Sequence, residues 1–172
     1  MRRGLLALAI AGLAAAACVA LIAILTSRDK GSVAGAEGPG VLEPDRGARH
    51  LSSGPQTPAS PPGRPPTSGP HRAVPVTRDR TELSDDELLE ALHLGNVVLA
   101  YDGRAPVAVQ REVSGPFDPA LAAAGQAVIL DHRPGVGGVV ALAWRRRLVA
   151  DGPDDPRLRE FAEAWLGQAP AG

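Results

Sequence analysis

The sequence has little cysteine, few aromatic residues and no excess of either charge. A single cysteine excludes an internal disulfide bond and any metal site built from four cysteines. Two tryptophans, one tyrosine and two phenylalanines are too few for the stacking surface of a single-strand-binding protein. The formal net charge of −1 and the pI of about 6.4 lack the basic excess that nucleic-acid binding needs. We therefore expect no nucleic-acid partner.

A long apolar run stands near the start of the chain. From Gly4 to Leu25 there are 22 residues without a charge. As a helix this run would be roughly 33 Å long, enough to cross a hydrocarbon core of about 30 Å. Two arginines precede the run, and Asp29 partly offsets the positive charges after it, so we expect the amino terminus in the cytoplasm. Residues 1–30 are predicted to be a cytoplasmic N-terminus and a transmembrane helix, with the lipid bilayer as partner.

Two other interpretations of this run stay open. A cleaved signal peptide would use the triplet Ala34-Gly35-Ala36. The apolar run is longer than the apolar region of a signal peptide, which is usually about 7–15 residues, and it ends well before the triplet. A lipoprotein would be modified at Cys18, but the apolar run continues beyond it to Leu25. The uncleaved anchor is favoured because it accounts for the whole run.

The segment after the apolar run is rich in proline and glycine. Ten of the seventeen prolines lie between residues 31 and 80, with much glycine and serine and almost no large apolar residue. Such a segment buries too little apolar surface to offset the entropy of ordering it. We predict residues 31–64 to be a disordered Pro/Gly-rich linker that tethers the rest of the chain.

Residues 65–172 have the pattern of a small α+β domain. Ser84 and Glu87 form a capping box at the start of a helix, because each side chain can bond the backbone N–H of the other. Leucines at helical spacing follow, and Gly95 is a natural stop. The first element of the domain is thus predicted to be a helix.

The rest of the domain alternates between strand and helix patterns. Helices packed on one sheet of three or four strands would explain this alternation. In chain order we predict a strand at 97–101, a minor strand at 107–109, a helix at 120–124, a strand at 127–130 and its hairpin partner at 139–144. A closing helix is predicted to start at Asp154, Asp155 and Pro156 and to be ended by Gly167.

Several strings of the domain resemble a known family. They are the P-P-T-S-G-P-H string at 65–71, the V-V-L-A-Y strand at 97–101, the Ala-Trp pair at 143–144, and Phe161 in the closing helix. Together they resemble domain-of-unknown-function family 3105 over residues 65–166. The resemblance implies a bacterial protein with an N-terminal anchor and a proline-rich spacer, and it implies no reaction.

The resemblance also implies a histidine-rich helix that this chain alters. The resemblance implies the pattern H-x-L-E-H-G in the helix before the strand. This chain has Glu90 in place of the first histidine, His93 in place of the glutamate and Leu94 in place of the second histidine. The residue before the tyrosine of the strand, often histidine in the family, is Ala100. Only His71 stands where the family has it, so a family histidine site would be reduced here or rebuilt with His93.

The best candidate site consists of His71, Glu90 and His93. Imidazole and carboxylate groups are ligands of Zn²⁺ and Cu²⁺, and the i, i+3 spacing of Glu90 and His93 lets both face the same way. Asp86 lies one turn earlier and is a possible fourth ligand. In the alternative interpretation, His93 complements the helix dipole and His71 donates a hydrogen bond that fixes the proline-rich segment.

Other chemistry-bearing residues are given structural roles. His50 lies in the predicted linker, where we expect no partner for it. Asp131 and His132 are neighbours on a strand and should face opposite ways. The three arginines at 145–147 are expected to form a solvated strand edge that discourages sheet pairing. With no complete catalytic set, we do not expect an enzyme.

The anchor, the linker and the domain together suggest a function in the cell envelope. We expect a single-pass membrane protein with its C-terminal domain outside the cytoplasm, binding or interacting with an envelope protein. The alternative is a Cu or Zn binding protein that uses His71, Glu90 and His93.

Overall fold

A computed structural model of the protein describes residues 38–52, 60–61 and 63–170. The transmembrane helix predicted between Gly4 and Leu25 lies outside these residues. Among the residues that are described, no helix is long and apolar enough to cross a membrane.

The described residues form one mixed five-stranded sheet with four helices. The strands lie in the order β1-β5-β4-β2-β3, with β2 and β3 parallel and the other neighbours antiparallel. The predicted α+β class is confirmed, with five strands instead of three or four. The elements are β1 (Val41–Leu42), α1 (Asp85–Leu94), β2 (Val97–Tyr101), α2 (Val107–Val113), α3 (Pro119–Ala123), β3 (Val128–His132), β4 (Val139–Ala143), β5 (Arg146–Ala150) and α4 (Pro156–Trp165).

The sheet is buried on both faces. Successive side chains of a strand point to opposite sides, so each central strand contributes to two clusters. On β2, Val98 faces a cluster that includes Leu88 of α1, whereas Leu99 faces a cluster that includes Phe161 of α4. Each fully buried leucine or phenylalanine contributes about 1.5–3 kcal/mol. Burial on both faces explains why the central strands are continuous apolar runs.

The predicted boundaries of α1 are confirmed by its hydrogen bonds. Ser84 is the N-cap, and its hydroxyl accepts from the backbone N–H of Glu87 while the Glu87 carboxylate accepts from the backbone N–H of Ser84. Gly95 ends the helix in the left-handed conformation, with φ of 102°. The capping box and this glycine fix the helix that carries Glu90 and His93.

The minor strand predicted at 107–109 is wrong, since Val107–Val113 is helix α2. The alternation of valine with small residues is compatible with a strand, but the segment is a helix in which the Gln110 side chain is buried. Its amide donates to the carbonyl of Val128 at 3.0 Å and to the carboxylate of Asp79 at 3.0 Å. These hydrogen bonds join residues far apart in the chain, so the local sequence pattern does not predict them, and they favour the helix.

The hairpin predicted between the third and fourth strands is also wrong. β2 lies between them, with β3 on one side and β4 on the other. The hairpin joins β4 to β5, and its turn contains Arg145 with φ of 58°. Arg145 therefore lies in the turn, and only Arg146 and Arg147 of the three arginines are in a strand.

The solvated edge predicted for the three arginines is wrong as well, because β1 covers β5. Arg146 is buried, and its guanidinium lies 4.5 Å from the ring centre of Trp165. Arg147 donates from Nε to the carboxylate of Glu43 at 2.8 Å. The edge is therefore covered by a strand and its ion pair.

Residues 38–52, called the arm below, lie against the domain although the sequence predicts them as linker. Val41 pairs with Arg147 and Leu42 with Arg146. Farther along the arm, the backbone N–H of Leu51 donates to the carbonyl of His71 at 2.8 Å. Backbone pairing and the ion pair of Glu43 with Arg147 hold the arm on the domain. The prediction of a linker considered only the scarcity of apolar residues, which does not reveal these interactions.

We predict that Gly125→Ala is far more destabilising than Gly115→Ala. Both glycines have positive φ, 70° and 81°, so an alanine costs about 1–2 kcal/mol at either position. A Cβ at Gly125 would collide with the Leu94 carbonyl, whereas a Cβ at Gly115 meets nothing within 4 Å. Overpacking adds about 1–3 kcal/mol at Gly125 only. Urea unfolding of both variants measures the difference, and equal losses would contradict the close approach.

Candidate functional site

Three histidines and a glutamate meet at one point of the domain. They are His50, His71, Glu90 and His93, and their ligand atoms all lie within 4.8 Å of one another. Glu90 and His93 come from α1, His71 from the extended segment before it, and His50 from the arm. The structure thus brings together the three predicted residues and adds His50, for which no partner was expected.

The distances within this cluster suit a small cation. Nε2 of His50 lies 2.9 Å from Oε2 of Glu90, and Nε2 of His71 lies 3.2 Å from the same oxygen. Nδ1 of His93 lies 3.4 Å from Nε2 of His71. Ligands about 2.1 Å from a tetrahedral Zn²⁺ are about 3.4 Å from each other. The four groups therefore need little movement to surround one ion.

His71 is held in one tautomer by its other ring nitrogen. Nδ1 lies 2.8 Å from the carbonyl oxygen of Gly69, which can only accept, so Nδ1 carries the hydrogen and donates it. In the neutral ring, Nε2 then has a free lone pair that faces Glu90 and His93. A backbone carbonyl on the second nitrogen is the usual way in which proteins orient a metal-binding histidine.

The segment 65–71 positions His71 through bonds on both sides of it. The carbonyl of Thr67 accepts from the backbone N–H of Arg145 at 2.9 Å, and its hydroxyl donates to Glu43 at 2.7 Å. The hydroxyl of Ser68 donates to the carbonyl of Pro44 at 3.1 Å. The threonine and serine of the P-P-T-S-G-P-H string thus join the β4–β5 turn, the arm and the cluster.

Burial and neighbouring charge tune His93. Partial burial lowers the pKa of its imidazole, and the positive charges available to His71 and His50 lower the pKa further, with Glu90 opposing them. A lowered pKa keeps His93 neutral at physiological pH. Neutral imidazole is the form that binds a metal ion.

Trp144 forms a wall of the cluster on the side of the β4–β5 turn. The centre of a Trp144 ring lies 5.2 Å from that of His93 and 6.0 Å from that of His71. The side chain of His71 is fully buried, whereas that of His50 is 48% exposed. His50 is therefore far more accessible to solvent than His71 is.

Asp86, which the sequence analysis named as a possible fourth ligand, binds Arg72. Its carboxylate accepts from the backbone N–H of Arg72 at 3.1 Å and from Nε of Arg72 at 3.2 Å. Arg72 follows His71 in the chain, so Asp86 fixes the segment next to the cluster. The fourth group of the cluster is His50 instead.

Asp131 and His132 lie apart from this cluster and face opposite ways, as predicted. Asp131 is buried and accepts from the backbone N–H of Leu83 at 2.9 Å and from Nε of Arg133 at 2.8 Å, whereas His132 is exposed. Burial raises the pKa of Asp131, and the Arg133 guanidinium opposes that rise. These contacts make Asp131 part of a structural ion-pair network.

No local signal in the sequence marks His50 as part of the cluster. The residue is placed by backbone pairing of the arm with segment 65–71, in which His71 N–H donates to the Arg49 carbonyl at 3.2 Å. Only pairing between distant parts of the chain reveals it.

The protein is therefore a small α+β domain protein with a His₃Glu cluster. The family model described as "Protein of unknown function (DUF3105)" matches residues 55–172, and the chain belongs to this family. No curated protein and no solved structure matches the chain. His71, Glu90 and His93 lie within the family match, and His50 lies before it.

We predict that variants of the cluster move the pKa of His93 in opposite directions. In the metal-free protein, His93 should titrate below its ordinary value of 6.5. Glu90→Gln removes the charge that raises this pKa and should lower it further, whereas His50→Gln removes a positive neighbour and should raise it. Proton NMR of the imidazole Cε1–H during a pH titration measures both. Shifts of the same sign would contradict the electrostatic account.

Proposed function

We propose that the domain binds one Zn²⁺ or Cu²⁺ ion at the His50, His71, Glu90 and His93 cluster. The observation that carries this proposal is the convergence of four ligand atoms within 4.8 Å of one another. Imidazole nitrogens and a carboxylate oxygen are ligands that both ions accept.

The charges of the four groups favour a divalent cation. Three neutral imidazoles and one carboxylate give a set with one negative charge, which offsets part of the charge of the ion. His71 is fully buried and Glu90 nearly so, and the Glu90 carboxylate already faces Nε2 of His50 at 2.9 Å and Nε2 of His71 at 3.2 Å. A metal ion would satisfy the His71 lone pair and the carboxylate together.

A binding role fits the ligand count better than catalysis. Catalytic zinc sites usually have three protein ligands and leave a fourth position for water or substrate. Here four protein groups would complete a tetrahedral set. We therefore propose that the protein holds or senses the metal and does not act as an enzyme.

Metal titration of the full-length protein, purified in mild detergent without a histidine tag, tests this proposal. We expect one Zn²⁺ or Cu²⁺ per chain with Kd below about 1 μM. Loss of a ligand in His93→Gln or His71→Gln should weaken binding by at least about 100-fold, more than loss of an outer partner costs. The matched control is His132→Gln, an exposed histidine outside the cluster, which should bind as the wild type does. Binding that is absent, or indifferent to His93, would refute the proposal.

Tryptophan fluorescence gives a second measurement of the same site. The chain has two tryptophans, Trp144 beside the cluster and Trp165 on α4. Bound Cu²⁺ should quench Trp144, so quenching should persist in Trp165→Phe and be lost in Trp144→Phe. Quenching that follows Trp165 would place the ion elsewhere.

We further propose that this domain acts in the cell envelope, outside the cytoplasm, on a single-pass membrane anchor. The uncharged run of 22 residues from Gly4 to Leu25 and the arginines before it support this location. A lipid bilayer and an envelope protein are the partners that such a location implies.

Reporter fusions test the location. We expect a periplasmic-type phosphatase fused after Pro170 to be active and a cytoplasmic reporter at the same point to be inactive. Replacing Arg2 and Arg3 by glutamate should weaken this orientation because it removes the positive charge before the run. A domain on the cytoplasmic side would contradict the proposal.

A further inference from the structure

We propose that the bound metal locks the arm onto the domain through His50, so that metal affinity and arm docking are coupled. This inference rests on the proposed metal site and adds its regulation. It assigns a function to residues 38–52, which lie before the family match.

The arm supplies one ligand and the folded domain supplies three. Glu90 and His93 belong to α1, and His71 belongs to segment 65–71, which is also bonded outside the arm because the Thr67 carbonyl accepts from the backbone N–H of Arg145 at 2.9 Å. His50 approaches from outside, and its side chain is 48% exposed. The cluster can therefore exist with four ligands when the arm is docked and with three when it is released.

Polar contacts dominate the docking of the arm. β1 has two residues, and Val41 and Leu42 remain 70% and 45% exposed. The carboxylate of Glu43 accepts from Arg147 at 2.8 Å and from Arg64 at 3.2 Å. Strand pairing this short is marginal in water, and exposed ion pairs such as that with Arg64 contribute little. A coordinate bond to His50 would add substantially to this modest docking energy.

The ends of the arm contact different parts of the domain. Near its start, the indole N–H of Trp165 donates to the carbonyl of Pro39 at 2.9 Å. Near its end, His50 and Leu51 pair with His71. A change at the start of the arm can thus reach the cluster through the docked arm without touching a ligand.

Linkage fixes the size of the effect. If the metal binds the docked state more tightly by some factor, it must also favour docking over release by the same factor. That factor is measured independently by the loss of affinity when His50 is removed. We expect both to be on the order of 10- to 100-fold, within the usual range of coupling between sites.

Hydrogen–deuterium exchange on the full-length protein tests the inference, with calorimetry in parallel. The reporters are the backbone N–H groups of Leu51 and His71, which bond across the junction of arm and domain. In the wild type, saturating Zn²⁺ should slow their exchange by the factor given above. In His50→Gln, Zn²⁺ should bind more weakly by that factor and should no longer slow Leu51. His132→Gln should behave as the wild type does.

A matched pair of glycine variants separates docking from ligation. Gly40 and Gly47 both have positive φ, 88° and 86°. A Cβ at Gly40 would lie 2.7 Å from the Phe161 ring and 2.8 Å from the carbonyl oxygen of Arg147, whereas a Cβ at Gly47 meets nothing within 4 Å. Gly40→Ala should therefore displace the arm and weaken Zn²⁺ binding, and Gly47→Ala should weaken it much less.

The double variant completes the test. Gly40→Ala should have no further effect on Zn²⁺ affinity when His50→Gln is already present, because the arm then carries no ligand. Zn²⁺ binding by the wild type without slower exchange at Leu51 would overturn the coupling and leave the metal site intact. An affinity unchanged by Gly40→Ala would also overturn it. Absence of Zn²⁺ binding to the wild type would instead refute the metal site, and the coupling with it.

Discussion

The fully buried imidazole of His71 is the constraint on which the rest of the site depends. A buried ring with two nitrogens needs a partner for each of them. The carbonyl of Gly69 satisfies Nδ1, and this directs Nε2 towards Glu90 and His93 on α1. The cluster is therefore a consequence of where one histidine is buried and how its backbone is held.

The elements around His71 come from distant parts of the chain, and each is fixed by its own interaction. The capping box of Ser84 and the left-handed Gly95 set the register of α1, and with it the positions of both α1 residues of the cluster. The β4–β5 turn brings Trp144 against the rings and bonds Thr67 through Arg145. Helix α1, the β4–β5 turn and segment 65–71 thus meet at one buried side chain.

The family match covers His71, Glu90 and His93 but not the whole cluster. The P-P-T-S-G-P-H string has a physical basis, because its hydroxyls and its glycine carbonyl orient His71 and bind the arm. His50 lies before the matched residues and completes the cluster from outside. The three imidazoles and the carboxylate of the cluster thus come from residues both inside and outside the family match.

Local sequence patterns were enough to predict α1 with both caps, the central apolar strands, the α+β class, and the candidates His71, Glu90 and His93. These follow from hydrogen bonding within a few residues, from periodicity, and from ligand chemistry, all of which are local. Tertiary structure alone decided that 107–113 is a helix, that β2 separates β3 from β4, that Asp86 binds Arg72, and that the arm brings His50 to the cluster. Each of these depends on pairing between residues far apart in the chain, whose free energy no local pattern contains.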